Sequence, residues 1–82
     1  MYYVYIIQSI SKKDFIYKGL TDNVPRRLDQ HNDGRSRATK LYRPFKLIHV
    51  EICINRIDAR NMESFFKSGY GREIIKEIIS NN

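Results

Sequence analysis

The chain has one cysteine, no long apolar run, no repeat and no low-complexity tract. Each absence excludes something. A lone cysteine cannot close an internal disulfide. Cys53 sits among apolar residues and reads as a small core hydrophobe, not as a ligand or nucleophile. No segment has the apolar length that spans a bilayer, so no membrane association is expected. The N-terminus lacks a basic leader ahead of an apolar stretch and a small-residue cleavage site. A cytoplasmic protein of one domain, residues 1–82, is the expectation.

What is present suffices for one small core. The 82 residues are 41% hydrophobic and 12% aromatic, which argues against disorder. The net charge of +6 is unevenly spread. Ten of the fifteen basic residues and four of the nine acidic ones lie between Lys12 and Lys46, and the remainder of the chain is neutral. A polyanionic partner near that stretch is one reading; a merely basic soluble surface is the other.

The pattern reads as two strands, a helix, a strand and two helices. Residues 2–8 are aromatic and β-branched, residues 9–14 are turn-like, and residues 15–21 form a second strand. The two strands make an antiparallel hairpin, and a turn centred near Ser11 would set Tyr5 opposite Tyr17. Gly19 would allow close approach of another group to the strand. Asp22 and Asn23 offer cap side chains and Pro25 suits a first turn, so a helix runs to about Asn32 and ends at Asp33-Gly34. Arg27 and His31, four apart, share a face of it. Residues 34–45 form a basic loop with Arg35, Arg37, Lys40 and Arg43, and room for a short helical turn. Residues 46–54 read as a largely buried third strand. A helix over residues 59–67 follows, capped by Asn55 or Asp58 and stopped by Gly69 and Gly71. A last helix covers residues 72–80.

Two phenols (Tyr5, Tyr17), a guanidinium (Arg27), an imidazole (His31) and a carboxylate (Glu63) form a set suited to cutting a phosphodiester. A carboxylate holds a metal, an arginine neutralises phosphate, and a phenol or imidazole moves a proton. Each residue also has a plainer reading. The tyrosines can be packed strand aromatics. Arg27 and His31 can be a solvated helix face, and Glu63 can pair with Arg60 or Lys67. His49 has no motif partner and reads as structural.

The ordered set resembles the GIY-YIG nuclease domain over almost the whole chain, and most of all its small stand-alone bacterial members. Tyr5 closes the first triplet, Tyr3-Val4-Tyr5, and Tyr17-Lys18-Gly19 matches the second. Arg27 and His31 fit an arginine followed four residues later by a histidine. Glu63 falls at the metal-binding glutamate, in the pattern Ala-x-x-x-Glu. The Arg43-Pro44 turn and Lys67-Ser68-Gly69 are also similar.

The resemblance implies an α+β fold, a three-stranded antiparallel sheet flanked by helices in the order β-β-α-β-α-α. It implies a DNA endonuclease with one divalent metal, Mg²⁺ or Mn²⁺, held by Glu63, with no small-molecule cofactor. Repair or processing of branched or flapped DNA follows from the relatives. Two residues depart from the pattern. Lys18 replaces an aliphatic residue and puts a cation on the face opposite Tyr17; Leu20 stands where excision-repair relatives carry a lysine. No separate DNA-recognition domain is evident in the sequence. The alternative from another class is a catalytically weak or inactive nucleic-acid-binding module, touching phosphates through Lys18, Arg35, Arg37, Lys40 and Arg43.

Overall fold

The computed structural model describes residues 1–81. Strand β1 spans Tyr2–Ser9, β2 Ile16–Thr21, helix α1 Val24–Asn32, β3 Phe45–Cys53, α2 Arg56–Lys67 and α3 Gly69–Ser80, with one 3-10 turn at Lys40–Tyr42 inside the basic loop. The sheet order is β2-β1-β3, with both pairings antiparallel. The expected α+β architecture and element order are therefore present. No described helix is long and apolar enough to cross a membrane.

β1 is central, and its residues from Val4 to Ser9 are all buried. Such a strand needs cover on both faces, because successive side chains alternate sides. Val4 and Ile6 join Cys53, Ala59, Phe66 and Ile75 beneath α2 and α3. Tyr5 and Ile7 join Phe45 on the other face, where Phe15, Tyr17, Val24, Leu28 and Tyr42 pack on them. Each fully buried aliphatic side chain contributes about 1.5–3 kcal/mol. Two thin cores thus share one strand, and the tyrosines belong to the face that α1 covers.

The register differs from the expected one. Tyr5 pairs with Gly19, and Tyr17 pairs with Ile7. The hairpin is centred one residue later than Ser11, because its loop is tied by Gln8 Nε2 donating to the Lys13 carbonyl at 2.8 Å and by the Lys12 amide donating to Ser9 Oγ at 3.0 Å. Moving the centre by one residue moves the partner by two. Tyr5 and Tyr17 therefore remain on one face, as diagonal neighbours.

Helix ends follow local chemistry. Asn23 caps α1 by accepting from the Arg26 amide, and Asn55 caps α2 by accepting from the Asp58 amide. Asn32 Oδ1 accepts from the Phe45 amide at 2.7 Å and ties the end of α1 to the start of β3. Gly34 takes a left-handed φ of 79° just after α1, and the Arg43–Pro44 peptide is cis.

Two expectations need correction. α3 begins at Gly69, not at residue 72, because Ser68 ends α2 and caps α3 at once, its Oγ accepting from the Gly71 amide. Gly71 does not stop a helix. It lets the first turn of α3 press on the end of α2, where a Cβ would fall 2.6 Å from Phe66 Cα. β3 is also less buried than its apolar run implied. Leu47, Ile52 and Ile54 are exposed, since β3 is an edge strand that no further strand covers. Tyr3, Val50 and Ile52 instead border an open apolar groove beside Val24 and Pro25.

Candidate active site

Gly19 organises the site. It sits opposite Tyr5 in the β1–β2 ladder, and the Tyr5 ring lies directly over it. A Cβ there would fall 2.8 Å from Tyr5 Cε1 and closer still to Cζ and Oη. The bare backbone thus lets the phenol lie across β2 toward the sheet edge. An open cleft of about 450 Å³ forms there. Tyr5, Tyr17 and Gly19 line it from the sheet, Arg27 from α1, and Arg60 and Glu63 from α2. Helices that pack on opposite faces thereby meet around the β2 edge.

His31 sits behind the cleft instead of lining it. It is fully buried on the last turn of α1. Its Nε2 lies 2.8 Å from Tyr5 Oη, and its Nδ1 lies 2.7 Å from Thr39 Oγ1. Its ring also meets the Tyr17 ring edge-on, with centroids 5.1 Å apart. Burial, with Arg27 nearby, lowers its pKa from 6.5 to about 4, so the imidazole is neutral at pH 7.

Proton removal by a phenol would be helped by a pKa below 10, yet burial raises that of Tyr5. Arg27 beside the hydroxyl opposes the rise, and the neighbouring Tyr17 and Glu63 reinforce it. The resting phenol is neutral because desolvation outweighs a single guanidinium.

The charges in the cleft are largely uncommitted. Arg27 donates from Nη1 to Gln30 Oε1 at 2.9 Å and has no carboxylate partner among the described residues. Arg60 likewise has none. Among the described residues Glu63 pairs only with Lys67, at 3.5 Å, and it stays partly exposed. No group of three His, Cys, Asp or Glu side chains capable of caging a metal exists among the described residues. A single accessible carboxylate suits a hard cation that keeps most of its water and completes its shell with phosphate.

Two contributors escaped the sequence reading as site residues. Arg60 was considered only as a partner for Glu63, although a position three before Glu63 on the same helix faces the same way. Thr39 lies in a loop whose path no periodicity reveals. The basic loop of residues 34–45 contributes nothing to the lining. Arg35 pairs with Asp33 at 3.6 Å, and Arg37, Lys40 and Arg43 are exposed. Arg43 packs over Gly34, and the loop reaches the site only through Thr39. Lys18 lies on the opposite side of β2, beside Arg72.

The family model for the GIY-YIG catalytic domain matches residues 1–76. The chain belongs to the GIY-YIG family. A UPF0213 protein of Syntrophus aciditrophicus is 42% identical over 52 residues, covering 61% of this chain and 58% of that protein. The structure-specific endonuclease subunit SLX1 of Candida glabrata is 38% identical over 82 residues, covering 92% of this chain but 26% of its own. The chain thus spans little more than half of the first relative and about a quarter of the second. The solution NMR structure of a UPF0213 protein from Bacillus halodurans superposes with a TM-score of 0.54 at 27% identity, covering 95% of this chain and 85% of that one. This GIY-YIG domain is thus a member of a nuclease superfamily, with its fold shared by a solved relative.

Proposed function

We propose that the protein hydrolyses phosphodiester bonds in DNA, using one divalent metal at Glu63, and acts on branched or flapped DNA in repair or processing. The observation that carries this reading is the cleft itself. Two phenols, two guanidiniums and one carboxylate from three layers of the fold meet in it. The similarity to an SLX1 subunit supports the substrate class.

A bound Mg²⁺ or Mn²⁺ would supply Lewis acidity toward a phosphate oxygen and the leaving 3′-oxygen. The chain's own groups do the rest. Arg27 and Arg60, unclaimed by Glu63, neutralise the charge that builds on phosphorus. Tyr17 Oη donates to a non-bridging oxygen. Tyr5 Oη accepts a proton from the attacking water as it passes its own to His31 Nε2. That direction requires the His31 tautomer with the proton on Nδ1, donated to Thr39 Oγ1. The incoming phosphate's negative charge raises the proton affinity of His31 above its resting value.

The test uses nicked, flapped, branched and linear DNA with Mn²⁺. Glu63→Gln and Arg27→Ala are each expected to slow cleavage by roughly 10²–10³-fold. Cleavage that survives either change sinks the assignment. The raised pKa of Tyr5 favours one alternative, a module that binds nucleic acid and cuts it poorly. Metal-independent binding without cleavage of any substrate selects that reading.

A further inference from the structure

Of the fifteen basic residues, only Arg27 and Lys18 are drawn in from full exposure, and neither has a carboxylate partner among the described residues. Arg27 faces the cleft. Lys18 is its counterpart across β2. Its stem lies in a separate concavity of about 270 Å³ whose apolar wall is Ile16, Ile75 and Ile79, with Arg72 and Lys76 at its mouth. The one carboxylate there, Asp14, is already engaged by Lys12 at 3.5 Å.

A half-buried ammonium among like charges is costly without an anion. Burial, then Arg72 and Lys67, weaken the hold of Lys18 on its proton. Lys67 is also the residue that pairs with Glu63. A line of cations therefore runs from the cleft, past Lys67, over the unpaired edge of β2, to Lys18 and Arg72. A lysine that merely guards an edge strand from pairing points into water; this one points into a concavity shared with α3.

We propose that Lys18 and Arg72 form a second phosphate-binding site, which holds the nucleic-acid backbone where the substrate strand leaves the cleft and crosses the edge of β2. The site rests on the nuclease reading for its substrate and gives that substrate a path. It reads no bases, since its donors are an ammonium and an exposed guanidinium set for phosphate.

The experiment measures binding of a fluorescein-labelled 5′-flap duplex to the whole chain in EDTA, between about 50 and 200 mM salt. Lys18→Met and Arg72→Gln are each expected to reduce the magnitude of the log–log salt slope by about 0.9, and the double variant by about twice that. Arg72→Lys keeps the slope. Acetylation of the unmodified protein, read by mass spectrometry, is expected to show Lys18 shielded by the duplex at low salt and open at high salt. Arg72 is exposed, so its variants test the site even if Lys18→Met melts early. Wild-type slopes in well-folded variants overturn the proposal, as does Lys18 labelling that ignores the duplex or a protein that does not bind it. Cleavage by the wild type is scored separately with Mn²⁺. Cleavage with unchanged slopes removes this site alone; reduced slopes without cleavage remove the nuclease reading alone.

Discussion

His31 Nε2 stands 2.8 Å from Tyr5 Oη, and the other ring nitrogen stands 2.7 Å from Thr39 Oγ1. A loop threonine thus holds a buried imidazole in place, and the imidazole holds a phenol in the cleft. Thr39→Val keeps the shape and removes the partner of Nδ1. An unsatisfied buried group costs about 1–3 kcal/mol. The expected outcome is a lower unfolding midpoint in urea and a fall in kcat larger than any change in KM. Thr39→Ser is expected to restore both.

His31 gives a stability profile with a definite sign. Its pKa is about 4 when folded and near 6.5 when unfolded. Between those values the unfolded chain binds more protons, so stability rises with pH through that window. The contribution is complete above about pH 6.5 and is lost as pH falls toward 4, with a span on the order of 3 kcal/mol. Urea titrations at pH 4.5, 5.5 and 7 are expected to show the decline. His31→Gln removes the part between pH 5 and 6.5, where carboxylates contribute little.

Gly19→Ala tests the close approach on which the cleft depends. A Cβ would overlap the Tyr5 ring, so the phenol must leave its place over β2. Overpacking of this kind costs about 1–3 kcal/mol. Loss of cleavage beyond that explained by the unfolded fraction, with the Tyr5 ring displaced in NMR spectra, is the expected result. A native ring position with full activity would contradict it.

The pair Gly69 and Gly71 separates packing from propensity. Nothing lies within 4 Å of a Cβ at Gly69, whereas one at Gly71 would fall 2.8 Å from the Phe65 carbonyl carbon. Gly69→Ala is expected to raise stability by about 0.4–1 kcal/mol. Gly71→Ala is expected to lower it and to disturb the α2–α3 junction. Differential scanning calorimetry distinguishes the two directly.

These glycines also mark what the sequence concealed. Gly69 and Gly71 read as a helix stop because glycine disfavours helix interiors. The need for a bare backbone where α3 meets Phe65 and Phe66 is a tertiary fact. The strands, the helix caps Asn23 and Asn55 and the common face of Tyr5 and Tyr17 were legible, since alternation and capping are local. The register was not, because it depended on how Gln8 and Ser9 tie the hairpin loop. The exposure of Leu47 and Ile52 was hidden for a similar reason: an apolar run does not reveal that its strand lies at an edge. The cleft-lining place of Glu63 was within reach of helical periodicity, and so was that of Arg60. The link through Thr39 was not.

The Glu63–Lys67 pair yields a last prediction. Lys67 Nζ lies 3.5 Å from Glu63 Oε2, where it competes with any cation seeking that carboxylate. Lys67 is mostly exposed, so the pair is worth only about 0–1 kcal/mol. Removing the ammonium also removes its repulsion of a divalent ion, which acts in the same direction. Lys67→Met is therefore expected to tighten Mn²⁺ binding by about 2–5-fold in the absence of DNA. Electron paramagnetic resonance of free Mn²⁺ reads this without reference to cleavage. Glu63→Gln in the same titration is expected to abolish site binding. If Lys67→Met leaves Mn²⁺ affinity unchanged while Glu63→Gln removes it, the ammonium does not compete and the pair is a surface contact only. If Mn²⁺ binds Glu63→Gln as it binds the wild type, the metal does not sit at Glu63.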